Sequence, residues 1–341
     1  MYDKRLDRAA HNSAGVDEVM ALIDLYETRY SNFTAAHFFD KYRDEHKGSR
    51  SYNWIRKTLQ NSGSIQKTKK RGTHRRKRER APMVGMLLHQ DGSTHDWIPN
   101  QKWDLIVTMD DANSEVYSGF FVDEEGTNSS FQGVNEVIMQ KGLFCSFYTD
   151  RGSHYWTTPK VGGKVDRTNL TQFGRAMKQL GIEMIAAYSP EARGRSERLF
   201  GTLQDRMVKE LALDGIIEMD KANAYLKEIY WKKHNDRFSI TPTESNSAFV
   251  PWLDSGLSLR DILCVQEQRT VKKDNTVSYC NKHLQIPKSQ ERCHYIKAKV
   301  RVHEYNDGTL AVFHGPRKLA SYDLEGRLQE ASSKEKVKSY A

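Results

Sequence analysis

An α/β domain between an N-terminal helical region and a small C-terminal β domain is what the sequence predicts, on three observations. Before Pro82, apolar residues recur at helical spacing; after it, short apolar runs of strand length alternate with helical periods, the pattern of an α/β fold. Beyond Leu257, apolar and polar residues alternate around turn sequences, as in paired strands. At 341 residues the chain has room for two or three domains, each with its own core. The expected division is a helical region at 1–64, a basic linker at 65–82, the α/β core at 83–256, the β domain at 257–328 and a disordered tail at 329–341.

In the first region, Val16, Val19, Met20, Ile23 and Tyr26 follow the i, i+3, i+4, i+7 spacing of a helix stripe. Thr34 is placed to cap a second helix through Ala35, Phe38, Phe39 and Tyr42, which ends at the polar turn EHKGSR. Ser51 would cap a third, SYNWIRKTLQ, with Trp54, Ile55 and Leu59 facing inward. A packing helix followed by two helices around a short glycine turn describes a helix-turn-helix, in which Arg50, Asn53, Arg56 and Lys57 would read the major groove. A three-helix bundle with a charged face fits the same pattern.

The next stretch, KTKKRGTHRRKRER, sets Lys67, Lys69, Lys70, Arg71, Arg75, Arg76, Lys77, Arg78 and Arg80 against one acid, Glu79. Such density cannot pack into a core, because the charges repel and nothing offsets their desolvation. It reads as a linker lying along phosphates, or as a merely solvated one. The whole chain agrees: 53 Lys plus Arg against 44 Asp plus Glu give a formal charge of +9 and favour a polyanionic partner, nucleic acid first. Cys145, Cys264, Cys280 and Cys293 form no C-x-x-C pair, which suggests neither a zinc ribbon nor a disulfide framework. No apolar run approaches the roughly 20 residues that cross a bilayer, and MYDKRLDRAAHNSAG lacks a signal-peptide core. The expectation is a cytoplasmic, nucleoid-associated protein with no membrane contact.

In the core, MVGMLLHQD reads as a strand ending at Asp91, and WDLIVTM and EVYSGFFV as a hairpin around the turn DDANS. A helix is expected over 129–141, then a strand, LFCSFYTD, whose end presents Asp150, with Gly152 permitting a sharp turn. IEMIAA supplies a fifth strand. A long helix over 195–213 would dock on the sheet through Leu199, Leu203, Met207 and Leu211, leaving Glu197 off that stripe in its first turn. Asp104, Asp110 and Asp111 are rivals, but an acid at a strand start or in a turn is more often a cap or a solvated residue. His89, His95 and His154 lie near the acids without metal-ligand spacing and read as packing or DNA contacts.

Three acids, Asp91, Asp150 and Glu197, therefore stand out, in HQDGSTHDW, FYTDRGSHY and SPEARGRSERLFGTL. Three carboxylates converging on one spot would repel unless divalent cations neutralised them, and Mg²⁺ is the natural candidate. At these residues the sequence resembles the Asp, Asp, Glu (DDE) core of integrases and bacterial insertion-sequence transposases, most closely the ISNCY type, over roughly residues 16 to 325. The resemblance implies a ribonuclease-H-like core in which Asp91, Asp150 and Glu197 hold two Mg²⁺ ions, with Mn²⁺ as a substitute, and cut and join phosphodiesters. It implies terminal inverted repeats and target DNA as partners and a homo-oligomer, at least a dimer, on paired ends. The segment between Asp150 and Glu197 is longer than the integrase group usually has, by a polar insertion near KVGGKVDRTN. Arg151 stands where integrases often carry Asn; it and Arg195 are expected at DNA.

After a helix over 221–234 and a proline-bearing connector, QRTVKKDNTVSYCNKHLQIP and KAKVRVHEYNDGTLAVFHG read as two hairpins, around DN and NDG. The resemblance makes them an SH3-like barrel, with Arg269, Lys272 and Lys273 as phosphate contacts. Two other functions fit the sequence: a structure-specific nuclease without strand transfer, and a catalytically silent, transposase-derived DNA-binding regulator.

Overall fold

A computed structural model describes residues 14–67, 78–160, 163–188, 190–253, 256–288 and 292–329, the side chains at 190–193 excepted. The chain forms two compact units, Met1–Arg76 with Gly201–Ile216, and Lys77–Phe200 with Ile217–Ala341. Of the tail predicted at 329–341, Gln329 lies in a strand and 330–341 are outside the described residues.

In the first unit, helices α1 (Val16–Arg29), α2 (Ala35–Asp44) and α3 (Tyr52–Asn61) close over Leu22, Tyr26, Tyr30, Phe33, Phe38, Ile55 and Leu59. Both predicted caps form: Thr34 accepts the His37 N–H and Ser51 the Trp54 N–H. The stripe on α1 differs from expectation, since Val16 and Met20 are exposed while Leu22 and Tyr26 are buried. The face that continues into Tyr30 and Phe33 has neighbours to pack on, and it prevails. Lys47, not Gly48, takes positive φ in the loop between α2 and α3.

The second half of α6 (Pro190–Leu213) belongs to this unit. Expected to dock on the sheet, Leu203, Met207 and Leu211 are instead buried in the segment that clusters with the N-terminal helices, and Leu213 packs on their core. Polar contacts fix that choice. Glu210 takes the His37 ring at 2.7 Å and the Lys41 ammonium at 2.5 Å, and Arg206 meets Asp40 at 2.8 Å. Burial opposes the Glu210 charge, but those two hydrogen bonds win and hold its carboxyl at about 2.

In the second unit, β1 (Leu87–Ile98), β2 (Gln101–Asp110), β3 (Val116–Val122), β4 (Ser146–Thr149) and β5 (Glu183–Ala186) form one sheet in the order β3-β2-β1-β4-β5. The first three are antiparallel, and β4 and β5 run parallel to β1. Helices α4 (Thr127–Lys141) and α5 (Gln172–Leu180) cover the sheet through Phe131, Val134, Val137, Phe173 and Met177, packed on Leu88 and Phe147.

Strand β3 is an edge, which leaves backbone groups that a folded protein must cover. Asn223 on α7 (Met219–Tyr225) bonds both backbone groups of Phe121, and Asn235 on α8 (Trp231–Phe238) both of Val116. Between them the Trp231 indole donates to the Gly119 carbonyl at 2.7 Å. One helix was expected here, but a π turn, Leu226–Tyr230, separates α7 from α8. Twelve residues of regular helix would leave Asn235 about 120° away from the Asn223 face, and the wider turn takes up part of that difference.

The C-terminal strands are β6 (Val265–Thr270), β7 (Thr276–Tyr279), β8 (Lys282–Gln285), β9 (Lys299–Glu304), β10 (Leu310–His314), β11 (Arg317–Tyr322) and β12 (Leu328–Gln329). They make a five-stranded antiparallel sheet, β12-β11-β10-β9-β6, and a two-stranded ribbon, β7-β8, around one core of Val277, Leu284, Val300, Val302, Val312 and Tyr322. The hairpin at NDG forms, with Gly308 at positive φ. The one expected around DN does not: β6 pairs with β9, and β7 turns back on β8 through Cys280 and Asn281, both at positive φ. A short helix, α9 (Leu259–Ile262), packs on the core of the mixed sheet, and Arg175 on α5 donates to the Ile262 and Cys264 carbonyls. Burial lowers that guanidinium to about 10.

A methyl group on Gly119 would lie 2.2 Å from the Trp231 ring. We expect Gly119→Ala to cost about 1–3 kcal/mol in a urea unfolding curve; an unchanged midpoint would show that Trp231 does not close this edge. His303 is buried against Phe313 at 4.1 Å between ring centroids, and neither ring nitrogen has a hydrogen-bond partner among the described residues. Burial pushes it down to about 4 from an ordinary 6.5, so the folded protein keeps it neutral. The unfolded chain gains its proton first, and stability present above pH 6.5 is lost as pH falls toward 4, on the order of 3 kcal/mol in full. Melting curves across that window should fall less steeply with acid for His303→Leu than for the natural protein.

Candidate active site

Strands β1 and β4 run parallel with Leu88 opposite Phe147 and His89 opposite Tyr148. Two residues further, on the same face by the period of two, stand Asp91 and Asp150. Contrary to expectation, Asp91 does not end its strand. It lies mid-way along β1, nine-tenths buried, because β1 continues to Ile98 against the apolar run of β2. Asp150 follows the last residue of β4, and its carboxylate accepts the Gly152 N–H at 2.8 Å. The chain does turn sharply here, the Tyr155 and Trp156 N–H groups both donating to the Gly152 carbonyl, without positive φ at Gly152; a Cβ there would lie 3.0 Å from both Asp150 and His154.

A carboxylate that sequence reasoning passed over lies on the other face of β1, over the residue next to Asp91. Glu125 lies so close over Gly92 that a Cβ there would be 2.2 Å from its oxygen, and His154 approaches it at 3.4 Å. Asp104 positions it by accepting the Glu125 N–H at 2.7 Å, while also accepting the Thr94 hydroxyl at 2.5 Å. Nothing local in DEEGTN marks Glu125 from its acidic neighbours; only the sheet order does. Buried Tyr155 senses all three acids: burial first, then Glu125, Asp150 and Asp91 raise its phenol well above the ordinary value. Its hydroxyl donates to Gln90 at 2.9 Å, tying the loop after Asp150 to the residue beside Asp91.

Glu197 is exposed on α6. Among the described residues no three His, Cys, Asp or Glu side chains are gathered closely enough to hold an ion. Asp91 and Asp150 offer oxygen alone, the donor type that suits a hard divalent cation. Glu197 is not gathered with Asp91 and Asp150.

Asp110 and Asp111 are fully buried, not solvated turn residues. Asp110 accepts the N–H groups of Gly85 and Ala112, and burial raises its carboxyl. Asp111 receives Arg78, Arg195 and, at 2.7 Å, the ring of His89. Burial opposes its charge, but these partners hold it far below the usual carboxylate range.

The residues expected at DNA fall into three groups. Arg50 is paired with Glu18 at 2.5 Å and lies over Trp54, Arg56 lies over Tyr52, and Arg151 donates to the Gly163 carbonyl at 3.0 Å. Arg78 and Arg195 are on Asp111, whereas Asn53 and Lys57 are exposed on α3. Lys69, Lys70, Arg71, Arg75, Arg76 and Lys77 lie outside the described residues. His89 packs on Asp111 and His95 edge-on to Trp97. No helix among the described residues is long and apolar enough to cross a membrane.

No family model matches the chain. Solved structures that it resembles are a simian T-cell lymphotropic virus intasome in complex with the PP2A regulatory subunit B56 gamma, at TM-score 0.38 and 15% identity over 85% of this chain and 91% of that one. Another is the HTLV-2 integrase catalytic core domain in complex with magnesium, at 0.33 and 17% over 44% and 90%. Scores this low do not establish a common fold. Among curated proteins, the chain is 30% identical over 161 residues to the transposase for insertion sequence IS1202 of Streptococcus pneumoniae, covering 47% of this chain and 34% of that protein. It is 32% identical over 300 residues to a Sinorhizobium fredii protein named transposase y4bF, covering 87% of this chain and 64% of that one. It thus spans less than two thirds of either relative. Over most of its length the chain is a homologue of transposases.

Proposed function

We propose that the chain is a DDE transposase of an insertion sequence, which cleaves the element's ends and transfers the 3′ ends to target DNA. The observation that supports this reading is the parallel register of β1 and β4, in which His89 pairs with Tyr148 two residues before Asp91 and Asp150. Asp91 and Asp150 would hold Mg²⁺, or Mn²⁺ in its place, and Glu197 would close the set when α6 brings it in; the resemblance suggests two ions. A divalent cation bound there supplies Lewis-acid activation of the attacking oxygen and charge neutralisation at the leaving one. The Gly152 N–H holds the Asp150 carboxylate in its rotamer, and the Tyr155 hydrogen bond holds the loop behind it. Water attacks during end cleavage and a DNA 3′-hydroxyl during joining, in line and without a covalent enzyme intermediate.

DNA is the partner that the charge and the relatives support. The N-terminal helices would act as a helix-turn-helix reading terminal repeats through Asn53 and Lys57, the tract at 67–77 would follow phosphates, and the C-terminal sheets would act as an SH3-like domain offering exposed Lys272 and Lys273. Joining two ends calls for at least a dimer.

The test is cleavage and joining of a labelled duplex carrying the element's own ends, with Mg²⁺, by the natural protein, Asp150→Asn and Glu197→Gln. Both variants should lose product by at least about a hundredfold, the scale on which lost transition-state charge stabilisation is felt. Cleavage without joined product in the natural protein would favour a nuclease. Binding without cleavage would favour a silent regulator.

A further inference from the structure

Helix α3 has two flanks beside its buried stripe of Ile55 and Leu59, and they differ. On the flank of Trp54, the Arg50 guanidinium lies 5.1 Å from the indole centroid and donates from Nε and Nη2 to the Glu18 carboxylate, at 2.6 and 2.5 Å. A guanidinium forked onto a carboxylate has that edge closed to any other acceptor.

The other flank holds Tyr52, Asn53, Arg56, Lys57 and Gln60, which at about 100° per residue fall within one arc of about 140°. Tyr52 is 37% exposed, and its ring has two neighbours: Phe39 of α2 meets it edge-on at 5.8 Å between centroids, and the Arg56 guanidinium lies 5.9 Å from its centroid. The Arg56 Nε is buried without a hydrogen-bond partner, and no carboxylate or carbonyl among the described residues bonds the rest of the group. The donors that Arg56 has to offer are therefore its two terminal nitrogens, on a guanidinium held by an aromatic ring. Helix α3 carries no acid, and the lysines and arginines from Lys67 onward follow it. A polyanion complements such a flank, and the first turns of the second helix of a helix-turn-helix are the part that meets base edges.

We propose that Arg56 reads guanine in the major groove of duplex DNA, its two terminal nitrogens donating to O6 and N7, and that Tyr52 is the positioning residue that holds the guanidinium for it. Two donors side by side match the two acceptors on the guanine edge; adenine sets a donor beside its N7 and opposes them. Arg50, fastened to Glu18, takes no part in readout. This rests on the helix-turn-helix reading of α1 to α3 and names the base that it reads.

The test uses the full chain in EDTA, so that binding is read without cleavage, and the duplexes that the natural protein selects from a random-sequence library. Their consensus should contain a guanine that Arg56→Ala no longer demands, with the other selected positions kept. At that guanine, 7-deazaguanine, which lacks the N7 acceptor, should weaken binding of the natural protein at least about fivefold and leave that of Arg56→Ala unchanged. Tyr52→Ala should relax the same position, whereas Tyr52→Phe, which keeps the ring, should retain it. A merely structural role would lower affinity for every sequence alike. That outcome, or a guanine preference intact in Arg56→Ala, overturns the proposal. Should the alanine variants fail to fold, indifference of the natural protein to 7-deazaguanine at every selected guanine still overturns it. A natural protein that selects no sequence overturns both this proposal and the helix-turn-helix reading. Selective binding that ignores Arg56 overturns this proposal alone.

Discussion

Like charges on neighbouring strands are the constraint around which the mixed-sheet unit is built. Parallel pairing of β1 with β4 forces Asp91 and Asp150 together, and Glu125 is packed against the same stretch of backbone. A neutral donor meets Asp150, the Gly152 N–H at 2.8 Å. The protein's guanidiniums are spent a short way back along β1, on Asp111.

What the sequence made legible follows from how local each signal is. Thr34 and Ser51 were readable because a cap is set by residues three apart. The strands were readable because apolar runs mark them; the pairing of β1 with β4, which brings Asp91 and Asp150 to one sheet face, is a parallel crossover past two strands and a helix. Asp111 was not readable, for its partners Arg78 and Arg195 lie 33 and 84 residues away and a turn acid ordinarily meets water. Glu125 failed for the same reason, being singled out only by its approach to Gly92.

Two further departures have competing local patterns as their cause. On α1 two apolar stripes exist, and the winner is the one that tertiary neighbours can cover, not the one with more members. Around 276–285 the DN dipeptide looks like the better hairpin turn, yet Cys280 and Asn281 make it, because β6 finds a longer partner in β9, paired over six residues. In the helix of 221–234, composition gave no warning of the π turn. It answers a demand from β3, whose Val116 and Phe121 backbones need the two asparagine amides at once.

The distribution of positive charge argues against reading DNA contacts directly from a basic sequence. The excess of nine is real, but several of the arginines that define it are internal fasteners: Arg175 holds the Ile262 and Cys264 carbonyls, Arg206 holds Asp40, Arg50 holds Glu18, and Arg78 and Arg195 hold Asp111. A guanidinium suits that work, because its planar fork bridges several acceptors and it stays charged when partly buried. Lysines do it less well, and Lys57, Lys67, Lys272 and Lys273 remain exposed. Phosphate attraction in this protein should therefore follow its lysines and the tract at 68–77 more closely than its count of arginines.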